Sequence, residues 1–124
     1  MKKLGFGLMR LPKINGEIDI EQVKSMADAF LSNGFTYFDT AYVYENSEVA
    51  FKEAVVKRYN RSDYYIADKL TAWKLKEGSD KEEIFKESLD RLGIEYIDYY
   101  LLHAVQEANI EIYYENDCWN FCQE

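Results

Sequence analysis

The sequence predicts an α/β fold, because apolar runs of strand length alternate with segments whose apolar residues recur at helical spacing. A second observation is the repeat, since a strand and its helix return at a period of roughly thirty residues, which is typical of βα units. The third is that several apolar runs end in a polar side chain, as strands do where they meet a functional edge. Together these observations favour about four parallel strands alternating with helices.

The elements follow from the pattern in chain order. The strands are predicted over residues 3–8, 35–38, 64–69 and 96–102. The predicted helix starts share a side chain that can cap a first turn: Asp19, Ser47, Ser79 and, for a last helix, Asn116 or Asp117. Asp19 has Gln22 three residues later, and Ser79 has Glu82, which is the spacing of a capping box. Gly34 and Gly93 end the first and third helices, and Gly16 turns the loop after the first strand.

The length of the chain indicates which parallel fold this is. A (β/α)8 TIM barrel needs roughly 250 residues, and this chain has 124, which is about half of one. An open doubly wound sheet is the alternative, and its nucleotide fingerprint would be G-x-G-x-x-G after the first strand. The segment beginning Gly5-Phe6-Gly7 places Arg10 where the third glycine belongs, so the fingerprint is incomplete. Residues 1–124 are therefore predicted to form a single partial barrel domain.

Composition excludes several classes of function. The net charge of −8 argues against nucleic-acid binding, which needs clustered lysine and arginine. No apolar run has the length of a membrane span or of a signal-peptide core, so we expect a soluble, cytoplasmic protein with no membrane partner. Cys118 and Cys122 lie four residues apart on one helical face, so we expect unreacted, partly buried thiols. No metal site is predicted.

Four polar residues close or follow the predicted strands: Asp39, Tyr44, Lys69 and His103. The carboxyl ends of parallel strands meet at one mouth of a barrel, where the chemistry of such folds is found. An acid, a phenol, an amine and an imidazole brought to this mouth predict a site that donates a proton.

Strand parity predicts which of these side chains can meet. Alternate residues of a strand face opposite sides of the sheet, so if His103 points into the barrel, Asp98 faces the helices and is a poor partner for it. By the same count Asp68 points away from Lys69. Asp39, on the neighbouring strand, is then the expected ion-pair partner of Lys69.

The expected chemistry follows from the residue types. A lysine beside the Tyr44 phenol favours the phenolate, which makes the phenol a usable general acid. The Asp39 carboxylate keeps Lys69 charged and oriented. A neutral His103 is expected to hydrogen-bond a carbonyl oxygen that is being reduced and to fix its orientation.

At these residues the chain resembles the N-terminal half of an aldo-keto reductase. Four motifs carry the resemblance in order along the chain: Gly5-Phe6-Gly7-Leu8-Met9-Arg10-Leu11-Pro12, Phe38-Asp39-Thr40-Ala41-Tyr42-Val43-Tyr44, Ala67-Asp68-Lys69 and Asp98-Tyr99-Tyr100-Leu101-Leu102-His103. The resemblance covers nearly the whole chain up to about Ala104. It implies a domain that is truncated at its C-terminal side.

The resemblance also implies an activity and a site. The family's catalytic tetrad corresponds to Asp39, Tyr44, Lys69 and His103, with Tyr44 as the proton donor. NADPH delivers hydride to a small aldehyde or ketone substrate. Met9, Arg10 and Asp39 correspond to positions near the nicotinamide and ribose of that cofactor.

The chain departs from the family pattern at several points. Glu45 stands where many relatives have glycine, and Asp68 stands where relatives often have a small hydroxyl residue. The later strands and loops, which supply most cofactor contacts in the family, are missing. Some bacterial relatives carry an iron–sulfur segment at the C-terminus, and nothing within this chain supports such a cluster.

Three alternatives remain open from the sequence. A half barrel exposes its edge strands, so a stably folded form of this chain is expected to pair those edges with a second copy; the favoured alternative is that the chain is a piece of a longer enzyme. A non-catalytic binding or regulatory protein on the same scaffold is the runner-up function, and a phosphate-binding barrel of unrelated chemistry is a third reading.

Trp73 and the Tyr113-Tyr114 region are candidate walls of a substrate pocket, and Trp73 fits ordinary packing equally well.

Overall fold

Four parallel strands form the main sheet of the computed structural model, which describes residues 2–123. In chain order they are β1 (Gly5–Gly7), β4 (Tyr37–Asp39), β5 (Tyr65–Leu70) and β6 (Tyr99–Leu102). They lie in the sheet in this same order, each one paired in parallel with the next. A progression of adjacent parallel strands connected by helices is the arrangement of a (β/α)8 barrel, and these four strands are one part of it.

A small hairpin of β2 (Lys13–Ile14) and β3 (Glu17–Ile18) follows the first strand. Its turn is Asn15-Gly16, and both residues have a positive φ, of 51° and 82°. Two consecutive residues with positive φ suit a tight two-residue hairpin turn, for which Asn-Gly is a preferred sequence. The turn at Gly16 was predicted, but strands of two residues are too short to show an alternating pattern.

Within residues 2–123, six α-helices surround the sheet or extend its loops: α1 (Ile20–Ser32), α2 (Ser47–Phe51), α3 (Ala72–Lys76), α4 (Lys81–Leu92), α5 (Ile110–Glu115) and α6 (Cys118–Gln123). A π-helical turn, Lys52–Val56, continues α2, and a 3-10 turn spans Arg61–Asp63. The cap of α1 is as predicted, because the Asp19 carboxylate accepts a hydrogen bond from the Gln22 amide at 3.2 Å. Gly93 ends α4 in the left-handed conformation, with φ of 71°.

Two predicted helix caps are wrong. Ser47 is the first residue of α2 rather than its cap, and its hydroxyl lies 2.6 Å from the buried Thr40 hydroxyl instead. The cap of α4 is Asp80, not Ser79, and its carboxylate accepts from the Glu82 amide at 3.0 Å. In both cases two neighbouring residues have a side chain that can cap: Asn46 precedes α2 without a side-chain cap hydrogen bond, whereas Asp80 caps α4.

The segment after β6 also differs from the prediction. The last helix does begin at Cys118, next to the predicted start, but α5 precedes it and a positive φ of 53° at Asp117 separates the two. Neither α5 nor α3 was predicted. Helices of five or six residues contain less than two turns, and the apolar residues of α3 and α5 were not recognised as a helical period.

The two faces of the sheet differ in burial. Residues facing the helices form the core, including Phe38 and Ile66, which are fully buried against helical residues such as Phe51. On the opposite face, Tyr65, Tyr99 and Leu101 are each at least 40% exposed. This concave face is the predicted barrel interior. In the described part of the chain no other element covers it, and β1 and β6 are the edge strands of the sheet.

Asp98 confirms the parity argument. It lies just before β6 on the helix side, where it pairs with Arg61 at 2.6 Å and accepts the Ile66 amide at 2.8 Å. The Arg61 guanidinium stacks on the Tyr96 ring, with its carbon 4.0 Å from the ring centroid. Asp98 therefore fastens β6 to β5 at the end of the sheet opposite His103.

Within residues 2–123, no helix has both the length and the apolar character needed to cross a membrane. Both cysteines are free thiols: Cys118 is fully buried, while Cys122 is partly buried as predicted. Burial raises the pKa of the Cys122 thiol to about 11, so it remains protonated and weakly nucleophilic at neutral pH.

Candidate active site

The four residues of the predicted tetrad lie at one edge of the sheet. Asp39 is the last residue of β4, Lys69 lies near the end of β5 and His103 directly follows β6. The pairing of β5 with β6 continues past the last residue of β6, because the His103 amide donates a hydrogen bond to the Leu70 carbonyl at 2.8 Å. The sheet itself therefore sets the spacing of the three positions.

Lys69 is the centre of the cluster. Its Nζ lies 2.5 Å from Asp39 Oδ1 and 2.7 Å from the Thr40 carbonyl oxygen. The Tyr44 hydroxyl lies 3.5 Å from the same Nζ. The Lys69 side chain is 14% exposed and that of Asp39 is 33% exposed, so the ammonium is held in a pocket with one carboxylate beside it. The predicted ion pair between Asp39 and Lys69 is present.

Tyr44 reaches the cluster from the loop after β4. A tight turn presents it, in which the Tyr44 amide donates to the Ala41 carbonyl and the Ser47 amide donates to the Tyr44 carbonyl, each at 3.1 Å. Glu45, which follows it, pairs with Lys13 of the hairpin at 3.0 Å. The residue that replaces the common glycine is thus accommodated at the surface, and the phenol still points to Lys69.

His103 completes the cluster through aromatic contacts. Its ring meets the Tyr44 ring edge to face, with centroids 5.6 Å apart, and lies 5.5 Å from the Trp73 ring on its other side. Burial lowers the pKa of His103, the nearby Lys69 charge lowers it further, and Asp39 opposes this weakly. The imidazole is therefore neutral at neutral pH, as predicted. Its Nδ1 is buried without a hydrogen-bond partner among the described residues.

Asp68 lies behind the cluster on the helix side of β5, as parity predicted. It is fully buried, and its Oδ1 accepts the Lys69 amide at 2.7 Å. The buried Glu48 carboxyl is a neighbour of this group, and its Oε1 accepts from Arg91 at 3.1 Å. Asp68 Oδ2 and Glu48 Oε2 are both buried without a hydrogen-bond partner among the described residues. Burial raises the pKa of Asp68 well above its usual range, and the neighbouring Glu48 adds to the effect.

Sequence reasoning missed the support beneath the Tyr44 loop. Arg91 of α4 donates to the Tyr42 carbonyl at 3.2 Å and stacks on the Tyr42 ring, 4.4 Å from its centroid. The Tyr42 hydroxyl donates to Glu87, which also pairs with Arg91 at 3.2 Å. Glu87 and Arg91 are four residues apart on α4, and this spacing predicts that the two side chains pair with each other. It does not indicate that they also contact the Tyr42 loop.

The positions expected near a cofactor lie at the same edge. Met9 and Arg10 form the turn after β1, and Met9 is 60% exposed. The Arg10 side chain makes no hydrogen bond or ion pair with any residue in the range 2–123, so its charge is available at the mouth. Within that range no three His, Cys, Asp or Glu side chains are grouped closely enough to hold a metal ion.

Of the two aromatic regions expected near a pocket, only Trp73 is at the site. Tyr113 is fully buried behind the loop that carries Trp73, where it contacts backbone rather than open space. Tyr114 is 57% exposed and packs on Trp119, away from the tetrad. Neither tyrosine lines the mouth.

Comparison with known proteins agrees with this geometry. The family profile described as Aldo/keto reductase family matches residues 3–122. The NAD/NADP-dependent indole-3-acetaldehyde reductase of Schizosaccharomyces pombe is 39% identical over 103 residues, which are 81% of this chain and 34% of that protein. The glyoxal reductase of Bacillus subtilis is 34% identical over 102 residues, with coverage of 79% and 34%.

Solved structures give the same result. An aldo-keto reductase from a Medee basin deep-sea metagenome library is 30% identical with a TM-score of 0.65, and the match covers 98% of this chain and 42% of that one. The aldo-keto reductase of Klebsiella pneumoniae, solved with NADPH, shares the fold with a TM-score of 0.68 at 21% identity, with coverage of 93% and 41%.

The extent of these matches defines what the chain contains. It spans about a third of the length of the curated relatives that it matches. The profile match covers nearly all of the chain, and the four strands occur in the order and direction of a (β/α)8 barrel. The chain therefore belongs to the aldo/keto reductase family.

Proposed function

We propose that this chain supplies the catalytic half of an enzyme that reduces a small aldehyde or ketone to an alcohol. The observation that carries the proposal is the convergence of Asp39, Tyr44, Lys69 and His103 at one edge of the sheet, with Lys69 Nζ 2.5 Å from Asp39 Oδ1 and 3.5 Å from the Tyr44 hydroxyl. The names of two relatives, an indole-3-acetaldehyde reductase and a glyoxal reductase, support carbonyl compounds as the substrate class.

In this proposal Tyr44 donates the proton. As the phenol releases its proton to the carbonyl oxygen, negative charge develops on the tyrosine oxygen, and the Lys69 ammonium nearby stabilises it. Asp39 holds the ammonium charged and in place. The arrangement is fixed before the reaction, because Lys69 also donates to the Thr40 carbonyl at 2.7 Å.

His103 orients the carbonyl group. A neutral imidazole carries one N–H donor, and the depressed pKa of His103 keeps it in that form at neutral pH. A donor beside the Tyr44 phenol gives the carbonyl oxygen two hydrogen-bonding groups. The exposed Trp73 ring next to His103 offers an apolar wall for the organic part of the substrate.

The residues at the mouth fit a nicotinamide cofactor, which supplies hydride when bound. Arg10 offers a free guanidinium within the described chain, and Met9 offers an exposed apolar side chain beside it. Asp39 has a second carboxylate oxygen beyond the one that contacts Lys69, and it suits a ribose hydroxyl. The S. pombe relative is named as NAD/NADP-dependent, which supports a nicotinamide cofactor, and the Klebsiella pneumoniae neighbour was solved with NADPH, the form used in this proposal.

Cofactor binding is the first test. We expect the 124-residue chain to bind NADPH saturably, measured by cofactor fluorescence, and we expect Asp39→Ala with Lys69→Ala to weaken binding roughly tenfold or more, since charged hydrogen bonds are lost. The matched control is Lys74→Ala with Glu77→Ala, an exposed pair 3.4 Å apart. A folded sample that does not bind NADPH contradicts the proposal for this chain. Binding with no turnover of any carbonyl compound favours a binding or regulatory role instead.

Self-association is a further part of the proposal. β1 and β6 are the edges of the sheet in the described chain, and Tyr65, Tyr99 and Leu101 leave an apolar face exposed between them. Exposed edge strands readily pair with other strands, and a second copy offers the matching parallel edge. We expect sedimentation velocity to show a dimer whose dissociation increases on dilution. A compact monomer at all concentrations contradicts this expectation.

A cytoplasmic location remains part of the proposal and is supported by the two free thiols.

A further inference from the structure

Tyr113 makes an unusual set of contacts for a buried tyrosine. It lies on α5, its side chain is fully buried, and its phenol oxygen contacts three backbone groups. The Ala72 amide donates to this oxygen at 3.1 Å, and the His103 and Leu70 carbonyl oxygens lie 2.6 Å and 3.2 Å from it. The hydroxyl has one proton, and the shortest distance directs it to His103.

These contacts connect the two loops that carry the aromatic part of the site. His103 follows β6, while Ala72 begins α3 and directly precedes Trp73. An amide at the first position of a helix has no acceptor within that helix, so the Ala72 N–H depends on an outside partner. Tyr113 is that partner, and the same oxygen fixes the His103 main chain.

The phenol is itself held firmly. It belongs to a buried cluster with Leu70, Leu75, Ile84 and Cys118, so the ring is immobilised by packing from the sheet and from three helices. Burial raises the pKa of Tyr113, and the backbone hydrogen bonds only partly offset this. The hydroxyl therefore stays protonated and remains a donor throughout the working pH range.

We propose that Tyr113 is a positioning residue, which holds His103 and Trp73 in mutual contact by linking the backbone of their two loops. The contact between the His103 and Trp73 rings, at 5.5 Å, is the feature it maintains. Its meaning for catalysis rests on the proposed function, because His103 is the group that orients the carbonyl oxygen there. The linkage itself is a property of the folded chain without cofactor or substrate.

The test uses the 124-residue chain alone, so its result is separate from cofactor binding or turnover. His103 is the single histidine, and its imidazole NMR signals report its titration without overlap. Tyr113→Phe removes the hydroxyl and keeps the ring. We expect the pKa of His103 to rise toward its ordinary value as the loop loosens. We also expect the hydrogen-exchange protection factor of the Ala72 amide to fall roughly tenfold.

Two controls separate positioning from general loss of stability. Tyr114→Phe removes the exposed neighbouring phenol and is expected to leave both signals unchanged. Cys118→Ala opens a cavity in the cluster around Tyr113, and it is expected to lower the melting temperature without moving the His103 titration. An equal shift of the titration in Cys118→Ala overturns the proposal.

A further measurement keeps the proposal testable if Tyr113→Phe does not fold. In the unaltered chain the Ala72 amide is expected to exchange more slowly than the Trp73 amide, which is the second residue of the same short helix and has no such partner in the described contacts. Equal, fast exchange of both amides overturns the linkage. Unchanged His103 titration and Ala72 protection in a folded Tyr113→Phe variant does so as well.

Discussion

Replacing Tyr44 with phenylalanine is expected to lower the rate of carbonyl reduction by about 10²-fold to 10⁴-fold, which is the usual contribution of a positioned general acid. The ring remains in place beside Lys69 and His103, so only the transferable proton is lost. The affinity for NADPH is expected to stay within about twofold of the original, because a phenylalanine cannot change the charges around the Asp39–Lys69 pair. The measurement is single-turnover oxidation of NADPH with a small aldehyde, alongside cofactor fluorescence.

The design distinguishes the role of Tyr44 from that of the cofactor site. Tyr114→Phe is the matched control, since it removes an exposed phenol that packs on Trp119 and is remote from the tetrad. Turnover that is unchanged in Tyr44→Phe would rule out this tyrosine as the proton donor. A parallel loss of turnover and of cofactor affinity would instead assign Tyr44 to binding.

The second large effect concerns stability. We expect Asp68→Asn to raise the free energy of unfolding at pH 7 by on the order of 2 kcal/mol, because the original chain must keep an ionisable carboxyl group buried beside Glu48, either by holding a proton on it or at the cost of charge repulsion. An asparagine keeps the hydrogen bond described for this side chain, because its oxygen can accept the Lys69 amide, and its NH₂ is a donor that the neighbouring Glu48 carboxylate can accept. The Glu48 charge is retained for its pairing with Arg91.

The raised pKa of Asp68 determines how the effect of Asp68→Asn on stability changes with pH. The pKa of Asp68 is raised in the folded chain above the ordinary carboxyl value of 3.8. Between these two pKa values the folded state holds a proton that the unfolded state releases. The contribution of Asp68 to stability is therefore fully present below pH 3.8 and is lost as the pH rises through the folded pKa. The gain from Asp68→Asn is therefore expected to increase with pH.

Denaturant unfolding at several values between pH 5 and 8 measures this difference. Glu48→Gln is the matched comparison: it also removes one carboxyl group of the pair, but it breaks the ion pair with Arg91, so it is expected to stabilise the chain less than Asp68→Asn. An Asp68→Asn variant that is less stable than the original chain at every pH would show that the two carboxyl groups do not repel one another.

Local pattern and strand parity were enough to predict several features of this protein from its residue order. The alternation of strands and helices, the capped helix after Asp19 and the placement of Asp39, Lys69 and His103 at strand ends all follow from residue order. Parity also predicted that Asp98 and Asp68 face the helices and that Asp39 pairs with Lys69. These features are predictable because a strand has a period of two and parallel strands share one functional edge.

Contacts between elements that are far apart in the chain could not be predicted in this way and are known from the folded structure. Nothing in the pattern around Asp68 indicates that Glu48 lies against it, and nothing around Tyr113 indicates that its hydroxyl joins the loops of Ala72 and His103. These contacts depend on how helices pack on the helix side of the sheet, where side chains from several segments meet at distances no local spacing encodes. The physical reason is that burial and hydrogen-bond partners are set by the whole packed core, whereas period and parity are set by the backbone alone.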